Sequence, residues 1–304
     1  MAYVLGIDFG STTGKAVILD DSGTIIASEV SHKGAVSDEG VKAALASVFE
    51  QSGLTINDIA RTVATGYGRR MLDVADRTLT EITCHARGAV ALVPEVRMVI
   101  DIGGQDSKVI AIDQNGLVDQ FAMNDRCAGG TGKFLETLAR AVNVELDDMG
   151  PMALQATEYP QVSSLCATFA ETEVISLLAE GQGKTEVLAG VHAALSKRIS
   201  GLVNRVGLRT PLVMTGGVAR NPAAVKHLEQ TLGATLIIPE KPQIAGALGA
   251  ALFALDDFRQ QGASTRAKDA KIEADIDNAT AAMGGCAPAC SAKAAFAPAV
   301  APSR

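Results

Sequence analysis

The chain has no tryptophan, and aromatic residues make up only 4% of its 304 residues, so Val, Ile, Leu and Ala must fill its core. It has no basic block. Net charge is −7 with Lys and Arg scattered, which speaks against nucleic acid and anionic membranes as partners. No apolar run approaches the ~18 residues that a membrane-spanning helix needs. The opening MAYVLGIDFG lacks a basic leader and reaches Asp8 early, so it does not read as a secretory signal, and a cytoplasmic location is expected. There is no CxxC pair either. The five cysteines are then thiols, metal ligands or redox groups rather than structural disulfides. The spacing GxxxxGK[ST] is also missing as a nucleotide turn.

What the chain does have is a repeat. Residues 4–25, VLGIDFGSTTGKAVILDDSGTI, overlay residues 97–118, RMVIDIGGQDSKVIAIDQNGLV, without a gap. Asp8 falls on Asp101, Gly10 on Gly103, Lys15 on Lys108, Asp20 on Asp113 and Gly23 on Gly116. Each copy is an apolar run, Asp-x-Gly, a polar bend and a second apolar run, which is the pattern of a β-hairpin. Two such hairpins predict two related lobes that face each other. Their bends suit a nucleoside triphosphate with its Mg2+. Gly10, Ser11, Thr12, Thr13 and Lys15 on one side, and Gly103 and Gly104 on the other, offer N–H groups, hydroxyls and an ammonium to phosphate. Asp8 and Asp101 are hard oxygen ligands that would hold Mg2+ through water. Gln105 would orient an attacking water, as a Gln does in other NTPases.

At 47% hydrophobic and 20% charged, the composition is globular, and the length suits about two domains. Strands are expected at 3–9, 15–20, 24–30, 61–65, 211–215 and 235–238, and helices at 37–52, 81–93, 133–142, 169–180, 188–206, 221–232 and 244–258. This order is α/β. Lobe I comprises 1–95 plus about 240–260, lobe II 96–240, and the Ala-rich 261–304 reads as a disordered tail carrying Cys286 and Cys290 with no assigned site. Thr215, Gly216, Gly217 and Asn221 form a strand, a glycine pair and a helix cap, a backbone against which adenosine lies flat. Gly130, Thr131 and Gly132 close a polar loop that opens onto a helix and join the nucleotide contacts.

Cys127 and Cys166 each precede a predicted helix, whose free N–H groups and dipole favour a thiolate or an anionic cluster. Two thiolates per chain become four in a symmetric dimer, enough for a four-iron cluster or for zinc on the two-fold axis. Two buried structural thiols are equally compatible with the spacing. Cys84 reads as a buried thiol, and His32, His192 and His227 suggest no metal site.

The two turns, the adenosine motif and the small-residue helix at 246–250 resemble the acetate and sugar kinase, Hsp70 and actin superfamily over nearly all of residues 1–258. That resemblance implies a two-lobed, actin-like (ribonuclease H-like) ATPase fold. MNDRCAGGTGKFLE, SSLCATFAETEVIS, ATGYGR at 64–69, HARGA at 85–89, VIDIGGQDSKVI at 99–110 and MTGGVARN at 214–221 narrow it. They closely resemble the ATP-dependent activators of (R)-2-hydroxyacyl-CoA dehydratases and the ATPase subunits of benzoyl-CoA reductase. The resemblance implies an oxygen-sensitive [4Fe-4S] cluster shared by two subunits, held by Cys127 and Cys166 of each. It further implies a ferredoxin or flavodoxin donor, ATP hydrolysis, and an iron–sulfur dehydratase or reductase as acceptor. The second subunit is a copy of the chain or a homologous ATPase subunit. A small-molecule kinase and a non-catalytic ATP-binding assembly module are the alternatives that the nucleotide turns alone leave open.

Overall fold

A computed structural model describes residues 1–32, 39–163 and 166–262; the tail with Cys286 and Cys290 lies outside them. The repeat folds as two five-stranded sheets with the same topology. In the first, β1 (Tyr3–Phe9), β2 (Gly14–Asp20) and β3 (Ile25–Ser31) run antiparallel, and β4 (Ile59–Thr65) and β5 (Arg77–Thr78) add in parallel beside β1. In the second, β6 (Met98–Ile102), β7 (Ser107–Ile112) and β8 (Val118–Asn124) run antiparallel, and β9 (Leu212–Thr215) and β10 (Leu236–Ile237) add in parallel beside β6. The register repeats too. Asp8 stands across from Lys15 and Asp101 across from Lys108.

Alternation along the strands sends side chains to opposite faces. Leu5, Ile7 and Phe9 meet α1 (Glu39–Ser52) on the outer face of the first sheet, while Val4, Val17, Leu19 and Val63 meet α8 (Ala245–Gln261) on the inner face. Ile100 and Ile102 face an outer layer that includes α3 (Gly132–Ala141), α4 (Leu146–Ala153), α5 (Ala167–Ala179), α6 (Lys184–Val206) and α7 (Pro222–Leu232). Val99, Ile110, Ile112 and Val213 face α2 (Glu81–Leu92). Thus α2 and α8 occupy the seam between the sheets. They cross with backbones touching: a Cβ on Gly88 would lie 1.9 Å from Ala245 O, and one on Gly249 1.8 Å from Cys84 O. That contact is what the small residues of α8 permit. It also buries Cys84, whose thiol is pushed up to about 12 by burial, as its reading as a buried thiol requires.

The expected helices form within a few residues of their expected ends; α6 begins at Lys184, a turn earlier than 188. α4 and β8 were not expected. Gly150 and Pro151 sit inside α4, and both discourage a helix reading. β8 has an edge position and exposes Phe121, so it lacks the alternation that marks a half-buried strand.

Candidate functional site

Both hairpin bends open into one cleft between the sheets. Asp8, Gly10, Ser11, Thr12, Thr13, Lys15, Gly103, Gly104, Gly132, Gly216, Gly217 and Asn221 line it. The turns meet directly: a Cβ on Gly104 would lie 2.1 Å from Thr12 Oγ1. Asn221 has two functions. It lines the cleft, and its Oδ1 caps α7 by accepting from the N–H groups of Ala223 and Ala224 at 3.1 and 3.0 Å.

Asp8 Oδ2 accepts from Lys15 Nζ at 3.0 Å. Burial opposes the charge of Asp8, but the Lys15 and His85 cations outweigh it and hold the carboxyl below its ordinary value. Asp101 is more enclosed. Its Oδ1 accepts from the Thr215 hydroxyl at 2.8 Å, and its Oδ2 lies 3.5 Å from Lys108 Nζ. His85 Nδ1 lies 3.2 Å from Asp101 Oδ1, a charge contact off the line of a good hydrogen bond. Burial again works against the carboxylate, yet His85 and Lys108 hold Asp101 well below the usual range. Lys108 is itself buried and makes its tightest contact with Asp106. Burial disfavours its charge, but Asp101, Asp106 and Glu81 raise its proton affinity above that of an ordinary lysine.

Asp8 and Asp101 fit an Mg2+ held largely by water and phosphate, because that ion is commonly bound through one or two carboxylates. Among the described residues no group of three or more His, Cys, Asp or Glu forms a closed protein cage.

Several expected contacts lie elsewhere. Gln105 is exposed at the tip of the second turn and does not line the cleft. Thr215 supports Asp101 from below. Thr131 is buried at the N-terminus of α3 with its hydroxyl on Ala128 O, and Gly130 lies against Arg198 of α6. Conversely, Tyr67, Glu81, His85, Asp106, Lys108 and Gln243 line the cleft and were not assigned to it from sequence. Lys108 was already visible as the repeat partner of Lys15. Glu81 and His85 lie four residues apart on one helix face, and the HARGA match at 85–89 carried only the second of them.

Cys127 is joined to the second turn. Asn124 stands beside Ser107 in the β7–β8 register, and its Nδ2 donates to Cys127 O at 2.8 Å and Gly129 O at 3.0 Å. Beyond the cysteine, the N–H groups of Gly132 and Lys133 donate to Gly103 O and Gly104 O at 2.8 and 2.7 Å. The loop thus hangs from the second phosphate turn at both ends. Cys127 does not cap α3, because Thr131 takes that place. Cys166 does cap α5. Its sulfur makes no capping hydrogen bond, but the Thr168 and Phe169 amides of the first turn lie beside it and hold this exposed thiol below its ordinary value. Ser164 and Leu165 lie outside the described residues.

Comparison with known proteins agrees with this geometry. The model of the BadF/BadG/BcrA/BcrD ATPase family matches residues 5–254. The activator of lactoyl-CoA dehydratase from Anaerotignum propionicum is 48% identical over 84% of this chain and 98% of its own length. The (R)-2-hydroxyglutaryl-CoA dehydratase activating ATPase of Acidaminococcus fermentans is 44% identical over 83% of this chain and 96% of its own. Among solved structures, the activator of 2-hydroxyisocaproyl-CoA dehydratase from Clostridium difficile with bound ADPNP superposes with a TM-score of 0.82 at 41% identity, covering 88% of this chain and 100% of that one.

Proposed function

The chain belongs to the BadF/BadG/BcrA/BcrD ATPase family, and from that premise we propose that it is an ATP-hydrolysing activator that delivers a low-potential electron to an iron–sulfur acyl-CoA dehydratase or reductase. The observation that carries the proposal is the pair of hydrogen bonds from Gly132 and Lys133 to Gly103 and Gly104. They make the Cys127 loop an extension of the second glycine turn, so that a ligand held at the turn acts on the cysteine loop through two backbone bonds.

In this reading ATP and Mg2+ bind in the cleft. Asp8 and Asp101 face the water shell of the ion, Lys15 and the two glycine turns take the phosphates, and Gly216 to Asn221 take the adenosine. Thr215, His85 and Lys108 keep Asp101 charged and oriented. The two sheets with their helices act as the two lobes, 1–95 plus about 240–260 and 96–240, and the α2–α8 seam is where they shift when the cleft closes. Closure moves the second turn and with it the Cys127 loop. Cys127 and Cys166 have the right chemistry for a shared cluster. Both are free, Cys166 is exposed and Cys127 part-exposed, and each chain supplies half of a four-thiolate set. A [4Fe-4S] cluster bound there by two subunits supplies one-electron transfer. A ferredoxin or flavodoxin is the donor, and the setting is cytoplasmic.

Purification without oxygen tests this. A brown protein with about four irons per two chains and an EPR signal on reduction is expected. Cys127→Ser is expected to lose the iron while retaining nucleotide binding. A colourless, iron-free wild type that phosphorylates a small molecule would refute the reading.

A further inference from the structure

We propose that Glu81 orients and deprotonates the water that attacks the terminal phosphate. This makes the first turn of α2 a catalytic element of the cleft, and it rests on the ATPase reading above.

Gln105, the residue type that orients water in other NTPases, is exposed and is not among the residues lining the cleft. A carboxylate that does line the cleft is better placed for this work. The carboxylates at the two turns are engaged: Asp8 with Lys15 at 3.0 Å, Asp101 with Thr215 at 2.8 Å, and Asp106 with Lys108 in that lysine's tightest contact. Glu136 pairs with Lys133 and Arg140 on the surface of α3, and Asp147 is exposed on α4. Glu81 differs. Its side chain is only 14% exposed yet lines the cleft, and its one close cation, Lys108 Nζ, is 3.9 Å away, beyond hydrogen-bond reach. Among the described residues no side chain hydrogen-bonds to it. Its carboxylate lines the same cleft as both turns and keeps hydrogen-bonding capacity for a water.

The seam helix also suits the task. Glu81 and His85 lie one turn apart on α2, and His85 contacts Asp101. The glutamate is therefore registered to the second turn by a helix packed between both sheets. Burial lifts the proton affinity of Glu81 above the ordinary value, and Asp106 and Asp8 add to this against Lys108 and His85. A base is more effective as its pKa approaches working pH.

The step balances without any co-reactant. The water oxygen bonds to the γ-phosphorus, the bond from that phosphorus to the β–γ bridging oxygen breaks, and ADP leaves. The water proton passes to a Glu81 carboxylate oxygen and from there to solvent or to the released phosphate.

The test uses the full chain purified without oxygen, with kcat from phosphate release and affinity from titration with a fluorescent ATP analogue. Glu81→Gln is expected to lower kcat at least about 100-fold and to leave nucleotide affinity within about threefold, a split that a merely structural role would not give. If Glu81→Gln does not fold, Glu81→Asp is judged by the same split, with a loss of about 10-fold or more in kcat. A variant that keeps kcat within about threefold of a hydrolysing wild type overturns the proposal. A wild type that hydrolyses no ATP overturns instead the ATPase reading on which it rests.

Discussion

The two phosphate turns share one backbone plan and have separate surroundings. In the first, Asp8 pairs with Lys15 while His85 acts on it from farther off, and Lys15 is still 14% exposed. In the second, Lys108 is 3% exposed and shared by Asp101, Asp106 and Glu81, while His85 and Thr215 close in on Asp101. Against the first turn, Gly68 N–H of the β4–β5 connection donates to Phe9 O. Behind the second, the chain carries Cys127 and returns to donate to Gly103 and Gly104. In the proposed function the duplicated hairpin supplies two grips on phosphate, and the second differs from the first in the cysteine loop attached to it.

The sharpest way to break that comparison is to neutralise each aspartate. Asp101→Asn leaves Lys108 and His85 buried without their main counter-charge, so a loss of about 3–5 kcal/mol in unfolding free energy is expected. Asp8→Asn is expected to cost less, because Lys15 reaches solvent. Urea denaturation of both variants measures the difference, and equal losses would mean that the two turns are electrostatically alike.

A second contrast concerns acid. The helical layer over the second sheet contains His192, fully buried in α6 with Nδ1 2.7 Å from Leu188 O, and burial pushes this imidazole down to about 4. The unfolded chain binds that proton near the ordinary 6.5, so stability falls as pH drops from about 6.5 to about 4, by about 3 kcal/mol in total. α1 over the first sheet has no histidine. Replacing His192 with Gln is expected to flatten the acid limb of a Tm-against-pH curve, and an unchanged limb would place the sensitivity elsewhere.

The smallest effect is expected where the turns touch. A methyl on Gly104 would lie 2.1 Å from Thr12 Oγ1, so Gly104→Ala forces the two bends apart. A loss of about 10-fold in ATP affinity, about 1.4 kcal/mol, is expected with little change in unfolding. Titration with a fluorescent ATP analogue reads it.

Much of this was legible in the sequence because the repeat is ungapped. Aligning Asp8 with Asp101 and Lys15 with Lys108 anticipated the shared register. What was not legible depends on three-dimensional placement. Gln105 lies in the right bend, but it is exposed and does not line the cleft, a matter of turn geometry that composition does not encode. Glu81 and His85 reach the cleft only because α2 lies in the seam between the sheets. Thr215 is a strand residue by its pattern, and it faces Asp101 only through the β6–β9 register. For Cys127, proximity to α3 suggested a helix cap, whereas its loop is held by Asn124 and by two backbone bonds to the second turn.

The central claim is that phosphate contact at the second turn reaches the Cys127 loop through the amides of Gly132 and Lys133. Hydrogen exchange, measured with and without a non-hydrolysable ATP analogue, tests it directly. The predicted result is slowed exchange at those two amides together with a changed rate across residues 124–131. Protection that ends at Gly103 and Gly104, with 124–133 exchanging as in the nucleotide-free protein, would contradict it.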